Sequence, residues 1–182
     1  PLYVYDEATL REMCQQFMEE FSERYTNTRV LYAAKAFMNP ELVKLVSQEG
    51  LGVEVVSGGE FTVALAAGLS PGDIYFHGNN KSKDELELAV GQGIGRIVVD
   101  NFHELQMLDE ISSAHNVIQD ILLRLSPGVD PHTHAHTTTG ILDSKFGFSI
   151  ETGQAEQAIR QSIRRENIRL VGVHCHLGSP VF

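Results

Sequence analysis

Six short runs of β-branched and apolar residues recur along the chain between helical patterns. They are "RVLYAA", "GVEVV", "DIYFHG", "RIVVD", "DILLRL" and "RLVGVHCHLG". The first five start about 20 to 25 residues apart, room for one strand, one helix and two short loops. Near-continuous apolar strands alternating with helices predict a parallel sheet with helices on its outer face. A closed eight-stranded barrel and an open doubly wound sheet both satisfy this rhythm. No Gly-x-Gly-x-x-Gly follows the first strand, so the dinucleotide-binding open sheet lacks its usual sign. A whole barrel takes about 250 residues. The chain has 182. The expectation is an α/β fold, a partial TIM-type (β/α) barrel with about six of eight parallel strands and outer helices. Because "GSPVF" directly follows the last strand, residues 1–182 read as the N-terminal part of a barrel domain.

The helical segments carry their own signals. After an extended start, "PLYVY", the stretch from Asp6 to Tyr25 places Leu10, Met13, Phe17 and Phe21 at the spacing of one helix face. Asn39-Pro40 opens a helix with proline at its first position. Ser57-Gly-Gly-Glu60, Ser82-Lys-Asp-Glu85 and Asn101-Phe-His-Glu104 each have the spacing of a capping box, in which the two side chains satisfy each other's free backbone N–H.

Composition narrows the function classes. An apolar fraction of 42% with 21% charged residues is that of a soluble globular protein. The formal charge of −10 argues against a nucleic-acid partner, which calls for basic patches. No apolar run reaches the roughly 20 residues of a membrane helix, and no basic-then-apolar signal pattern opens the chain. Two cysteines, Cys14 and Cys175, make no disulfide framework. The expectation is a cytoplasmic protein.

In a parallel barrel, chemistry sits at the C-terminal ends of the strands. Here strand one ends at Lys35, strand two near Glu54 and Ser57, and strand three at His77-Gly78-Asn79-Asn80-Lys81. Strand five carries Arg124, and strand six ends in His174-Cys175-His176-Leu-Gly-Ser179. Strand four offers Asp100-Asn101, which capping explains. Lys35 reads either as a lysine reaching solvent or as an amine in an apolar rim. In the second setting desolvation disfavours its charge and leaves a nucleophile, the usual attachment point of pyridoxal phosphate. His174 and His176 point to one side of a strand and Cys175 to the other, where it packs as a small apolar residue. The histidine pair reads as one core and one rim histidine, or as a metal pair of the kind metal-dependent hydrolases carry. Gly178-Ser179 is an ordinary turn or an anion-binding one. The long loop from Ser126 to Ser149 reads as a lid, with His132, His134 and His136 as polar side chains rather than a metal tract. The "DELE" run from Asp84 is a solvated helix face.

Six segments, in order, carry a resemblance: "YAAKAFMN", "GLGVEVVSGGE", "HGNNKS", "SPGVDPHTH", "TGILDSKFGF" and "GVHCHLGS". With them the chain resembles the diaminopimelate decarboxylase family, pyridoxal-phosphate enzymes with an alanine-racemase-like barrel. The first and last segments also suit ornithine and arginine decarboxylases; "HGNNKS" and the loop ending in "TGILDSKFG" are more selective. The resemblance implies conversion of meso-2,6-diaminopimelate to L-lysine and carbon dioxide, in lysine biosynthesis. Lys35 matches the lysine that carries pyridoxal phosphate, His176 the histidine stacked on its ring, and Ser179 a residue at its phosphate. Arg124 and Glu54 match polar residues near the cofactor, and His134 and Lys145 belong to the loop over the site. Phe37 stands where many members have asparagine, Glu54 where aspartate is common, and Ser126 where asparagine is common. A family member continues with a glycine-rich phosphate loop and a C-terminal β-domain, which supplies a cysteine to the partner's site in a homodimer. On this reading residues 1–182 lack those parts and are inactive alone. The alternatives are an ornithine- or arginine-type decarboxylase and a metal-dependent hydrolase built on His174 and His176.

Overall fold

The structure is a computed structural model that describes residues 2–128 and 145–178. Helix α1 (Glu7–Ser22) starts at Asp6, whose side chain accepts the N–H of Ala8. Strand β1 (Leu31–Ala33) runs into a single 3₁₀ turn, Ala34–Ala36. Helix α2 (Pro40–Gln48) follows, capped by Asn39 with proline in its first turn. The alternation then continues through β2 (Gly52–Val55), α3 (Gly58–Ala66), β3 (Ile74–Phe76), α4 (Lys83–Gly91), β4 (Arg96–Val99), α5 (Phe102–Ala114) and β5 (Gln119–Ser126). A two-residue strand β6 (Phe148–Ser149), helix α6 (Gln154–Ser162) and strand β7 (Ile168–His174) complete the described chain.

Strands β1 to β5 pair in order, all parallel, and β7 pairs parallel with β5. Six parallel strands in barrel order bear out the expected α/β partial barrel. The short β6, at the end of the stretch read from sequence as one long loop, pairs with the last two residues of β5.

Alternation along each strand separates two faces. Val53, Val55, Ile74, Phe76, Ile97, Val99, Ile121 and Leu123 are almost completely buried and form the core with Phe61, Leu86, Leu105 and Leu108 of the helices. The other face carries Glu54, Arg124 and His174. On β7 the pattern continues without cover, leaving Val171 and Val173 exposed. Residues that cap the rim therefore stand on a rigid, apolar-backed sheet, which suits a site better than a loop.

Three local expectations change. The apolar stripe Met13, Phe17 and Phe21 of α1 is 42%, 56% and 54% exposed, and the packed residues are Leu10, Cys14 and Met18. The helical period is right but the buried face is rotated by one residue. Polar tethers explain the rotation, since Arg11 and Gln15 both reach the carboxylate of Glu49.

Of the three capping boxes only Ser82–Glu85 is reciprocal. Ser57 and Asn101 accept the N–H of Glu60 and Glu104, but those carboxylates take the preceding N–H groups of Val56 and Asp100 instead. Cys175 is exposed rather than packed as an apolar residue. Among the described residues, no helix is long and apolar enough to cross a membrane.

Candidate active site

Lys35 is carried not by β1 but by the 3₁₀ turn just beyond it. Two contacts steady that turn: the Tyr32 hydroxyl donates to the Phe37 carbonyl at 2.7 Å, and the Phe37 ring stacks on Tyr5 with centroids 5.0 Å apart. Of the two readings of Lys35, the solvent-reaching one holds and the desolvated one does not, because the residue is exposed. Its ammonium forms no hydrogen bond or ion pair among the described residues. The amine is thus left free to react with something that enters.

What it faces is a cavity of about 370 Å³ whose walls include Lys35, His77, Arg124, Phe146 and His176, with Asn79 and Asn80 along one side. That volume is within the range of small-molecule and cofactor sites. The Arg124 guanidinium lies 4.3 Å from the centroid of the Phe146 ring, a cation–π contact. Behind it, Asp100 Oδ1 is 3.5 Å from the Arg124 guanidinium, and both side chains are buried. Asp100 Oδ2 also accepts the N–H of Gly147 at 3.1 Å. Gly147 has φ +72°, and a Cβ there would lie 2.7 Å from the Arg124 carbonyl oxygen, so only glycine fits.

Beside the cavity Glu54 is held between two imidazoles. Its Oε2 is 3.5 Å from His77 Nε2 and its Oε1 is 3.6 Å from His174 Nε2. Burial pushes the Glu54 carboxyl up, but His174, His77 and Lys35 together outweigh it and hold the group below its ordinary range. Burial, opposed by Glu54 and reinforced by His174, Arg124 and Lys35, brings His77 down to about 4. His176 is lowered by burial and then by Lys35, Arg124 and His174. Both histidines are therefore mostly neutral near pH 7.

The structure brings Lys35, Arg124 and His176 to one cavity and sets Glu54 behind its His77 wall. Lys145 is exposed; its ammonium lies 5.2 Å from the Phe146 ring and its carbonyl accepts from the Asn79 amide at 3.4 Å. Ser179 and His134 lie outside the described residues, as do His132 and His136. His174 turns to Glu54 while His176 lines the cavity. Among the described residues no three His, Cys, Asp or Glu side chains are grouped to hold a metal ion.

Sequence reasoning missed Asp100, set aside as part of a cap, and the partner that Lys81 finds in Glu104. Only the acidic end of "RIVVD" hinted at the first. Nothing in the sequence pointed to the second.

A ring that carries an aldehyde suits these walls. Lys35 supplies an amine without a partner among the described residues, His176 a neutral ring and Arg124 a cation backed by Asp100. The comparisons agree with that fit. A family model described as "Pyridoxal-dependent decarboxylase, pyridoxal binding domain" matches residues 7–182. The chain is 50% identical over 182 residues to a diaminopimelate decarboxylase of Bacillus methanolicus, covering 100% of this chain and 42% of that relative.

Two solved structures, both diaminopimelate decarboxylases complexed with L-lysine, are similar across the whole chain. That from M. jannaschii has a TM-score of 0.88 at 32% identity, with 43% of its own chain covered. That from Helicobacter pylori has a TM-score of 0.90 at 30% identity, with 45% covered. The chain spans less than half the length of these relatives.

Proposed function

We propose, for a chain that belongs to the pyridoxal-dependent decarboxylase family, that the cavity at Lys35 holds pyridoxal 5'-phosphate. In the complete protein it would serve the decarboxylation of meso-2,6-diaminopimelate to L-lysine and carbon dioxide. The observation that carries this reading is the exposed Lys35 amine, unpartnered among the described residues, in one cavity with Arg124 and His176. Bound pyridoxal phosphate supplies the electron sink for the charge left when a carboxylate departs.

The chain's own residues have separable tasks in this reading. Lys35 anchors the cofactor covalently and yields its place to the substrate amine. His176 packs against the ring face and keeps water from it. Arg124, fixed by Asp100, supplies a positive charge in a partly dry site, where such a charge acts more strongly than in water. Glu54 orients His77 and His174 behind that face. Ser179 is assigned to the phosphate, and His134 and Lys145 to the covering loop, on the family resemblance. The homodimer of the complete enzyme rests on the same ground.

The choice of diaminopimelate over ornithine or arginine is supported by the 50% identity to a diaminopimelate decarboxylase and by "HGNNKS" and "TGILDSKFG". Borohydride reduction with pyridoxal phosphate, followed by peptide mapping, should place the cofactor mass on Lys35. A label on another lysine, or none, would sink the cofactor assignment. With the complete protein, release of carbon dioxide from meso-diaminopimelate should exceed that from ornithine or arginine. The reverse order would reassign the substrate.

A further inference from the structure

Lys81 and Glu104 form an ion pair at 2.9 Å with side chains only 1% and 3% exposed, and the chemistry proposed above does not use it. The Lys81 ammonium donates to the Gly78 carbonyl at 2.7 Å and the Val98 carbonyl at 2.8 Å, and the Glu104 carboxylate lies against it as the ion-pair partner. An amine so fully engaged is a joint, not a nucleophile. The other Glu104 oxygen accepts the N–H of Asp100 at 3.2 Å. Asp100 in turn holds Arg124 and the N–H of Gly147.

A buried pair is weak evidence of a stability role, because apolar replacements of similar volume often fold as well or better. Its position suggests a different task. One end grips the turn at Gly78, beside the wall residues Asn79 and Asn80; the other grips the end of β4, where Asp100 aims at Arg124. Two walls of one cavity meet at this pair. We infer that Lys81–Glu104 is a positioning element that holds the Gly78–Asn80 wall and, through Asp100, the guanidinium of Arg124. The inference rests on the reading of this cavity as the cofactor site.

The test removes the pairing and keeps the acceptor for Asp100, in the double variant Lys81→Met with Glu104→Gln. Amide hydrogen exchange without cofactor reads the scaffold directly. Exchange at Gly147 and across Gly78–Lys81 should speed up about tenfold, while β2 and α3 stay at the wild-type rate and the melting temperature holds within a few degrees. In the complete protein loaded with pyridoxal phosphate, the cofactor's dissociation constant should rise about tenfold. The pH midpoint of its visible absorbance should also move, which a purely structural pair would not cause.

Wild-type exchange at Gly147 in the folded double variant overturns the inference, whatever the cofactor does. A double variant that does not fold also overturns it, since the pair would then be holding the fold and not the site. A wild-type protein that binds no pyridoxal phosphate defeats the functional reading instead, and the exchange experiment still decides the role of the pair.

Discussion

Glu54 and His77 meet at 3.5 Å behind the Lys35 cavity, a carboxylate against an imidazole that burial keeps neutral. Lys35, Arg124 and His174 also act on that ring, and each disfavours its protonation. His77 falls from an ordinary 6.5 to about 4 in the folded chain. Between those values the unfolded chain takes up a proton that the folded one refuses, so stability falls as pH drops from 6.5 towards 4. The loss amounts to about 3 kcal/mol over that window. Urea denaturation at steps of pH should show the slope, and His77→Gln should flatten most of it. An unchanged slope in that variant would assign the titration elsewhere.

Glu85 joins two helix starts. Its Oε1 accepts the N–H of Gly58 at 2.7 Å and its Oε2 the N–H of Ser82 at 2.9 Å, so one carboxylate serves both α3 and α4. Burial would raise the carboxyl, but these N–H groups outweigh it and hold it below its ordinary value. Its contribution is therefore present above the ordinary carboxylate range and lost as pH falls through the lowered value. Ser82→Ala removes one cap and should cost about 1 kcal/mol. Glu85→Ala orphans donors on two helices and should cost about 2 kcal/mol. Equal losses by chemical denaturation would mean that the bridge to Gly58 contributes nothing.

Gly147 is the backbone hinge behind Arg124. Alanine there meets both a positive φ and the Arg124 carbonyl oxygen, so Gly147→Ala should destabilise by more than about 1 kcal/mol. Because the same N–H is held by Asp100, the variant should also weaken pyridoxal phosphate binding in the complete protein. Fluorescence titration checks the second effect, and a variant with wild-type stability would show that the backbone here yields easily.

The rim was legible because strand ends are legible. A run such as "RVLYAA" stops where its apolar residues stop, and parallel strands deliver their ends to the same side. Lys35, Arg124 and His176 could be placed together on that ground alone. Asp100 was hidden because one residue served two purposes: it ends a strand and precedes a cap, and the cap was explanation enough. Lys81 and Glu104 stand 23 residues apart in sequence. No short-range pattern links a turn after β3 to the first turn of α5, and only the packing of neighbouring β/α units brings them within 2.9 Å. The α1 stripe failed for a related reason. Periodicity reports that a helix has an apolar face, while the tethers from Arg11 and Gln15 to Glu49 decide which face turns inward.

By itself, then, the sequence determined the alternation of strands and helices, the helix starts at Asn39, Ser57, Ser82 and Asn101, and the candidates at the rim. These follow from local periodicity, capping chemistry and turn residues, all set by neighbours a few positions away. Only the tertiary structure decided that Lys35 stands exposed on a 3₁₀ turn, that Glu54 is shared by two histidines, and that a buried Lys81–Glu104 pair ties two walls together. Those are matters of burial and charge at a distance. A charged side chain acquires its partner and its solvation only when distant segments close around it.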